Sequence, residues 1–372
     1  MHSEHFRTLL TATGPYGSIY FDDSHDTEDA AAQTDLKWRG MAEELARQGA
    51  GPDLIDRLAE AVTARPAPVG RGGRVVVANA DGVLVDERVN RADGPPVVRV
   101  SELPYIVPVL AHGVEQPTYL VAIVDHAGAD IELHRDGTVT THTVEGEAYP
   151  VHKASGAETP GYGDPQPRTE ESRSKNIRAA ADRVTAIVDE EAPELVFVVG
   201  EVQSRSDFAA ALPDRVSERL VQLQVGARHS GFDREHLHDA IGEHLQRRHA
   251  DAINAAAQRF SAELGRHSGM ATEGLNGVCA ALREGAVETL IVGSIGDATV
   301  VASDDLATVA PNANVLSELG AAPTHTLRAD EALPLAAVSI GAELIGAAEG
   351  QSPADGVAAV LRYAPRTAAT VS

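Results

Sequence analysis

The sequence has little that is aromatic or sulfur-bearing. Of its 372 residues one is cysteine, one is tryptophan, and only 4% are aromatic. With a single cysteine, Cys279, no intrachain disulfide can form, which suits a reducing compartment. Cys279 falls in an amphipathic helical pattern, which predicts a buried structural thiol rather than a reactive one. Because aromatic residues are scarce, the cores must be built mainly from alanine, valine, leucine and isoleucine.

Long apolar runs are also absent. No stretch reaches the roughly 18 apolar residues that a membrane-spanning helix needs. The start, M-H-S-E-H-F-R-T-L-L, lacks a basic region followed by a long apolar stretch. We therefore expect a cytoplasmic protein with no secretory signal and no membrane partner.

Basic residues are outnumbered throughout the chain. There are 31 lysines and arginines against 55 aspartates and glutamates, which gives a net charge of −24. Such a field repels nucleic acid at long range, so we expect no DNA partner, and any RNA contact must use local basic patches. Residues 117–266 carry 16 of the basic side chains, whereas residues 267–372 carry only 4, against 12 acidic ones.

The length and the hydrophobic pattern predict three α/β modules, over residues 1–116, 117–266 and 267–372. Alternating and continuous apolar runs predict strands, and apolar residues at helical spacing predict helices. Asp81-Gly82 predicts the turn of a β-hairpin. The predicted helices cover residues 27–49, 53–64, 169–189, 204–212, 232–264 and 272–284. Predicted strands include S-I-Y-F, V-V-R-V, Y-I-V-P-V-L, T-Y-L-V-A-I-V-D, E-L-V-F-V-V-G-E and V-E-T-L-I-V-G, whereas V-S-E-R-L-V-Q-L-Q-V-G fits a helix or a strand.

One segment of the middle module has nothing with which to pack. Residues 152–168 read H-K-A-S-G-A-E-T-P-G-Y-G-D-P-Q-P-R, with three glycines, three prolines and no apolar run. Long connections without secondary structure are uncommon inside compact domains and are usually functional. The pattern therefore predicts an extended functional loop before the helix that starts at Thr169.

Two stretches of the third module carry a family resemblance. Ala280–Gly293, A-A-L-R-E-G-A-V-E-T-L-I-V-G, and Gly356–Tyr363, G-V-A-A-V-L-R-Y, resemble the C-terminal domain of the archaeo-eukaryotic release factor and Pelota superfamily. With Y-F-D-D-S-H-D, Y-P-V-H-K, G-Y-G-D and V-F-V-V-G-E, the whole chain is similar to the actinobacterial part of the superfamily's bacterial branch. That branch includes relatives of the ribosome hibernation factor Balon.

The resemblance implies a three-domain α/β protein. Its middle domain would be ribonuclease H-like, and its last domain an α/β sandwich like that of Pelota and archaeo-eukaryotic release factors. It also implies a ribosome-associated factor in the A site of the 70S ribosome, acting on translation under stress, with elongation factor Tu as a partner. The first domain would face the decoding region and 16S rRNA. The middle domain would send residues 152–168 toward the peptidyl-transferase centre in 23S rRNA.

The loop departs from the pattern of peptide-release factors. Those factors carry Gly-Gly-Gln in this loop, whereas this sequence has Gly161-Tyr162-Gly163-Asp164-Pro165-Gln166. Pro165 fixes φ and removes an N–H beside the one candidate glutamine. We therefore expect occupation of the site without hydrolysis, that is, a protein that is not an enzyme and needs no cofactor or metal. The residues predicted to contact rRNA from this loop are His152, Lys153, Gly161, Tyr162, Gly163, Gln166 and Arg168.

Two further basic groups are candidates for rRNA contacts. Arg71 and Arg74 flank Gly72-Gly73 in a glycine-rich stretch that predicts a phosphate-gripping loop tip. Arg173, Lys175 and Arg178 lie on the helix behind the long loop, where charges at helical spacing predict either an RNA-facing stripe or an ordinary solvated face.

Two alternatives remain open. One is a release or rescue factor that hydrolyses peptidyl-tRNA. The other is an RNA-processing nuclease, because Asp125, Asp130, Glu132 and Glu201 lie at strand ends of a ribonuclease H-like module. The histidines of the long helix, at 236, 238, 244 and 249, lack the i, i+3 or i, i+4 spacing of a zinc site, and a solvated polar face is favoured.

Overall fold

The computed structural model of the chain describes residues 3–24, 30–64, 72–89, 94–113, 117–135, 138–145, 166–225, 234–304 and 308–364. The chain folds as two compact units. The first unit combines Met1–Val114 with Arg248–Ser372, and the middle unit is Glu115–Arg247. Within the described ranges, no helix combines the length and apolar character of a membrane span.

The N-terminal part of the first unit is an antiparallel sheet covered by two helices. A 3₁₀-helix, Ser3–Leu10, precedes the sheet. The strands pair in the order β3-β2-β1-β4, and β2 and β3 form the hairpin predicted around Asp81-Gly82. The elements are β1 (Tyr16–Asp22), α1 (Ala30–Arg47), α2 (Pro52–Ala64), β2 (Gly73–Ala78), β3 (Val83–Val89), β4 (Val97–Ser101) and α3 (Val107–His112).

The prediction of a strand at Y-I-V-P-V-L was wrong. Residues Val107–His112 form the helix α3, with Pro108 in its first turn. Proline suits that position because the first N–H groups of a helix have no intrahelical acceptor. The run is apolar because Val109 and Leu110 are buried, and a short apolar run does not distinguish a buried helix from a buried strand.

The middle unit is a five-stranded sheet with helices on both faces. The order is β7-β6-β5-β8-β9. The first three strands are antiparallel, and β5, β8 and β9 are parallel. This is the ribonuclease H-like arrangement that was predicted. The elements are β5 (Tyr119–Val124), β6 (Gly128–Arg135), β7 (Thr138–Glu145), α4 (Gln166–Glu191), β8 (Leu195–Gly200), α5 (Val202–Ala211), α6 (Asp214–Ser217), β9 (Leu220–Gln222) and the start of α7 (Arg234–Gly265).

Apolar residues on both faces of this sheet hold the helices in place. On one face Leu120 and Val198 pack with Val184 of α4 and Phe208 of α5. On the other face Val121, Ile123 and Phe197 pack with Leu237 and Ile241 of α7. Burial on both faces explains why β5 and β8 are continuous apolar runs rather than alternating ones.

Two predictions for this unit need refinement. The helix α4 begins at Gln166, three residues before the predicted start, so Thr169 lies inside the helix and is not its cap. The ambiguous stretch 216–226 is divided, with the short helix α6 reaching Ser217 and the strand β9 following at Leu220. Residues 146–165, which hold most of the predicted loop, lie outside the described residues.

The C-terminal part of the first unit has a four-stranded sheet and a smaller three-stranded one. The larger sheet has the order β10-β16-β11-β15 and the smaller one β13-β12-β14. The elements are β10 (Ala271–Glu273), α8 (Gly274–Arg283), β11 (Val287–Val292), β12 (Thr299–Ala302), β13 (Val309–Ala310), α9 (Ala313–Glu318), β14 (His325–Arg328), α10 (Ala329–Ser339), β15 (Glu343–Gly346) and β16 (Val357–Leu361).

Helices cover the larger sheet on both faces. Leu282 of α8 and Leu333 of α10 share a cluster with Leu290 and Ala359. On the opposite face Phe260, in the last part of α7, packs on Ile291. This is the α/β sandwich that was predicted for the last module. Some buried residues of the first unit's N-terminal part, Phe6 and Leu110 among them, belong to the same cluster as Leu333, whereas others, such as Ile19 and Leu45, form a separate cluster.

Candidate functional site

The middle unit contains a cleft beside the carboxyl ends of its parallel strands. The helix α5 follows β8 directly, so Gln203 lies one turn beyond the end of that strand. The helix α4 is fixed to the turn after β5, because the Asn176 Nδ2 atom donates a hydrogen bond to the His126 carbonyl at 3.1 Å. In open α/β sheets this edge is where ligands bind.

The cleft between α4 and α5 has a volume of about 630 Å³, within the usual range for ligand sites. Its polar groups include two arginines, one serine, one glutamine and one aspartate. The buried Ile177 contributes apolar surface. The residues that line it are Arg173, Ser174, Ile177, Arg178, Gln203, Asp207, Ala210 and Ala211.

The structure separates the three basic residues predicted on this helix. Arg173 lies 3.5 Å from the Asp207 carboxylate, measured from Nη2 to Oδ2, and is about one-third exposed. Arg178 is exposed and lines the same cleft. Lys175 instead points to Glu171 on its own helix, at 3.2 Å, with both side chains exposed. Two of the three predicted cations therefore meet at one site, and the third is paired outside it.

Gln203 and Asp207 were missed by the sequence reasoning. The Gln203 amide donates a hydrogen bond to Asp207 Oδ1 at 2.8 Å, across one turn of α5. The Gln-x-x-x-Asp spacing that produces this bond is visible in the sequence. However, only the packing of α4 on α5 shows that the pair faces an arginine.

The loop residues lie largely outside the described residues. This holds for His152, Lys153, Gly161, Tyr162 and Gly163. The backbones of Gln166 and Arg168 are described and belong to the first turn of α4. The one glutamine near the Gly-Tyr-Gly stretch is thus the first residue of a 26-residue helix.

The prediction that Arg74 contacts RNA does not fit the structure. Arg74 is only 2% exposed. Its Nε and Nη2 atoms donate hydrogen bonds to the two carboxylate oxygens of Asp86, at 2.7 and 2.9 Å, and Nη2 also donates to the Ala61 carbonyl. The side chain joins β2, β3 and α2 and is not available to phosphate. Arg71, the other member of the predicted pair, lies outside the described residues.

Of the four carboxylates considered for a nuclease, Asp125 and Glu132 are buried and have structural partners. Asp125 Oδ1 accepts hydrogen bonds from the backbone N–H groups of Ala127 and Gly128, at 2.7 and 2.9 Å, in the turn between β5 and β6. Glu132 is buried, with Oε2 3.3 Å from His134 Nε2 and Oε1 2.9 Å from Arg234 Nη1. The hydrogen bond with His134 and the charge of Arg234 hold the pKa of Glu132 below its usual range, although burial opposes them.

Across the described ranges, no group of three or more histidine, cysteine, aspartate or glutamate side chains is arranged to hold a metal ion. The histidines of α7 have varied surroundings. His236 and His238 are exposed, as a solvated face predicts, but His244 packs edge-on against Phe197 at 5.4 Å and His249 is buried.

The two C-terminal stretches that carry the family resemblance contact each other. Strands β11 and β16 pair antiparallel. The Arg362 backbone N–H donates to the Ala286 carbonyl at 2.8 Å, and the Tyr363 hydroxyl donates to the Glu284 carbonyl at 2.6 Å. The terminal Leu-Arg-Tyr thus closes the end of α8. Stretches about seventy residues apart in sequence form one structural feature.

Comparisons with known proteins agree with this picture. Residues 118–266 match the family model described as bacterial archaeo-eukaryotic release factor family 2. Rv2629 of Mycobacterium tuberculosis, itself an uncharacterized protein, is 47% identical over 368 residues, which are 98% of this chain and 97% of that protein.

Solved structures are also similar at low identity. A crystal structure of an archaeal translation termination factor is 16% identical with a TM-score of 0.27, covering 98% of this chain and 99% of the other. A structure of ribosome-bound archaeal Pelota with ABCE1 is 14% identical with a TM-score of 0.43, covering 97% and 94%. The whole chain therefore belongs to the same family as Rv2629, and its residues 118–266 belong to bacterial archaeo-eukaryotic release factor family 2.

Proposed function

We propose that this protein is a ribosome hibernation factor. It occupies the A site of the 70S ribosome and directs the segment 152–168 toward the peptidyl-transferase centre without hydrolysing peptidyl-tRNA. The match of residues 118–266 to a bacterial release-factor family supports a role on the ribosome. The kinship with Balon's relatives, which the sequence resemblance predicts, supports hibernation as the outcome.

The position of Gln166 carries the non-catalytic part of the proposal. A glutamine that orients water for acyl transfer must reach to within about 3 Å of the reacting carbonyl, on a backbone of suitable geometry. Here the one nearby glutamine has a helical backbone at the base of the segment, directly after Pro165. No Gly-Gly precedes it. The sequence around Gln166 and the helical backbone of that residue both argue against the hydrolytic arrangement.

The charge distribution supports an RNA contact through the middle unit. The protein as a whole is strongly acidic, yet Arg173 and Arg178 meet in one cleft on the helix that follows the segment. Local cations are what an acidic protein needs to bind RNA against its own long-range field. Elongation factor Tu, as the resemblance implies, would deliver the protein to the A site.

Co-sedimentation with ribosomes from starved cells tests the proposal. We expect the protein in the 70S fraction of starved cells, and purified protein should compete with A-site tRNA for vacant ribosomes. A control with the A site already filled by tRNA should show reduced binding. Protein that stays in the soluble fraction under starvation would contradict the proposal.

The alternative of a release or rescue factor is tested separately. Ribosomes loaded with peptidyl-tRNA should release no more peptide with stoichiometric protein than with buffer, because the Gly-Gly-Gln arrangement is missing. Release well above buffer that Gln166→Ala abolishes would overturn the non-catalytic assignment, even if the protein does bind the A site.

A further inference from the structure

Two donor atoms of the Arg173 guanidinium have no acceptor in the part of the chain that the structure describes. Its Nε and Nη2 atoms are buried and have no hydrogen-bond partner among the described residues. The nearest anion, Asp207 Oδ2, is 3.5 Å from Nη2, which is longer than a normal hydrogen bond. Buried donors without an acceptor are costly and rare in folded proteins. This geometry favours an acceptor that comes from outside the chain.

The rest of the cleft limits the identity of that acceptor. Arg178 supplies a second positive charge and Ser174 a hydroxyl, against the single carboxylate of Asp207. The other oxygen of that carboxylate, Asp207 Oδ1, accepts a hydrogen bond from Gln203. The arrangement is complementary to an anion with several oxygens, and a planar guanidinium matches a phosphate through two parallel hydrogen bonds.

The apolar part of the cleft extends the site beyond a single phosphate. Three of its lining residues are apolar, namely Ile177, Ala210 and Ala211. A volume of about 630 Å³ leaves room for a ribose and a base beside the phosphate. Free phosphate would leave these apolar surfaces uncovered.

We propose that this cleft holds one nucleotide of RNA, with its phosphate on Arg173 and Arg178 and its base against Ala210 and Ala211. The inference rests on the proposed function, because it names the part of the ribosomal partner that the middle unit contacts. Lys175, which the sequence grouped with the two arginines, has no part in the site because it is paired with Glu171 outside the cleft.

Binding measurements on the full chain test the site without ribosomes. The probes are inorganic phosphate, adenosine monophosphate and a single-stranded RNA hexamer, each followed by titration calorimetry. We expect the hexamer to bind most tightly and inorganic phosphate most weakly. Arg173→Gln should weaken hexamer binding about tenfold, since a hydrogen bond to a charged group is lost. Asp207→Asn should strengthen it, because the competing carboxylate is removed.

Two matched variants separate the site from general charge and from misfolding. Lys175→Gln, which removes an equal charge two residues further along the same helix, should leave hexamer binding within about twofold. Arg173→Lys keeps the charge but not the planar pair of donors, so its loss should be intermediate. If Lys175→Gln weakens binding as much as Arg173→Gln, the contact is a diffuse charge effect and the proposal falls.

The outcomes also separate this site from the proposed function. If adenosine monophosphate binds as tightly as the hexamer, the ligand is a free nucleotide and the RNA assignment is wrong. If ribosomes bind the protein but the hexamer shows no dependence on Arg173, the function stands and the cleft proposal fails. If Arg173 governs hexamer binding in a protein that never sediments with ribosomes, the cleft stands and the proposed function fails.

Discussion

The side chain of Arg74 shows how a charged residue can belong to the core. Basic residues beside glycines usually lie on the surface, and sequence alone gave no reason to place this one elsewhere. Its carboxylate partner Asp86 is twelve residues away, across the hairpin of β2 and β3. The pairing depends on strand register, which brings the two residues together only after the hairpin forms.

Replacing Arg74 with methionine should destabilise the first unit. The change leaves the Asp86 carboxylate without its cation, and breaking a buried ion pair by removing one partner costs about 3 kcal/mol or more. Urea unfolding followed by the fluorescence of Trp38, the chain's one tryptophan, reports on this unit.

The control for this prediction is Arg57→Met, in an exposed pair with Glu60 at 3.5 Å. It should change little, because exposed ion pairs contribute little. If Arg74→Met unfolds at the same urea concentration as the wild type, the Arg74–Asp86 pair does not stabilise the unit as we infer.

The thiol of Cys279 gives a pH-dependent prediction. The residue is fully buried, as its sequence pattern predicted, and burial raises the pKa of its thiol to about 12. The thiolate fraction at pH 8 is then about one in ten thousand. Thiol reagents should leave the native protein unmodified at pH 8 and react fully only in denaturant. Rapid modification of native protein would contradict the burial.

The same shift predicts a loss of stability in alkali. The unfolded thiol ionises near pH 8.5, whereas the folded thiol keeps its proton, so ionisation favours the unfolded chain above that pH. The free energy of unfolding should fall by about 1.4 kcal/mol per pH unit between roughly pH 9 and 10. Cys279→Ala should be less stable at pH 7 but lack this slope. Subtracting its free energy of unfolding from that of the wild type at each pH leaves the contribution of the thiol, without that of the tyrosines.

At the scale of elements, long periodic segments were predictable and their ends were not. The helices α1, α2, α5, α7 and α8 lie close to the predicted ranges, because apolar spacing and breakers define them locally. The helix α3 was missed because packing, not periodicity, makes its short apolar run helical. The start of α4 was missed because Pro165 and Pro167 favour a loop in isolation but are also compatible with the beginning of a helix.

Two signature glycines of the C-terminal part should differ sharply in their tolerance of a side chain. Gly285 ends α8 with a φ of 64°, and an added Cβ would meet open space. Gly356, with a φ of 73°, lies against the carbonyl of Ser294, with which an added Cβ would collide. Both positions have a left-handed backbone. The difference between their costs of substitution therefore measures the effect of the close contact between Gly356 and Ser294.

Gly285→Ala should therefore cost about 1 kcal/mol from left-handed backbone strain. Gly356→Ala should cost about 3 kcal/mol or more, because a backbone shift is added to that strain. Urea unfolding monitored through Trp38 measures both. Equal costs would mean that the strand β16 can move away from Ser294 without penalty, and that the glycine is not required by packing.

At the scale of the whole molecule, sequence patterns show modules but not how they pack. The pattern separated residues 1–116 from 267–372, whereas in the structure both belong to one compact unit. Contacts such as those between Arg99 and the buried carboxylates of Asp330 and Glu331, at 2.9 and 3.1 Å, join residues more than 200 positions apart. The sequence around each of these residues gives no indication that they are in contact. The same holds for the cleft, because Asp207 lies near Arg173 only once α5 packs against α4.

The acidic field of the molecule also decides which residue can anchor the segment 152–168 on RNA. With a net charge of −24, contacts that rely on charge alone are weakened, whereas stacking of an aromatic ring on a base does not depend on the protein's charge. Tyr162 is the one large ring in the segment. Tyr162→Ala should therefore cost about 1–3 kcal/mol of ribosome binding, and Tyr162→Phe, which keeps the ring, should cost little.

Chemical footprinting of 23S rRNA gives the direct measurement of where Tyr162 goes. Wild-type protein and Tyr162→Phe should protect nucleotides of the peptidyl-transferase centre, and the protection should fade with Tyr162→Ala.

Replacing residues 156–165 with a glycine and serine linker should abolish this protection while leaving the melting temperature nearly unchanged, because the segment has almost nothing apolar to bury. The linker ends before Gln166, since that residue begins α4. Ribosome binding by the wild type without any protection at this centre would show that the segment contacts a different part of the ribosome. A large drop in melting temperature for the linker variant would instead assign the segment to the fold.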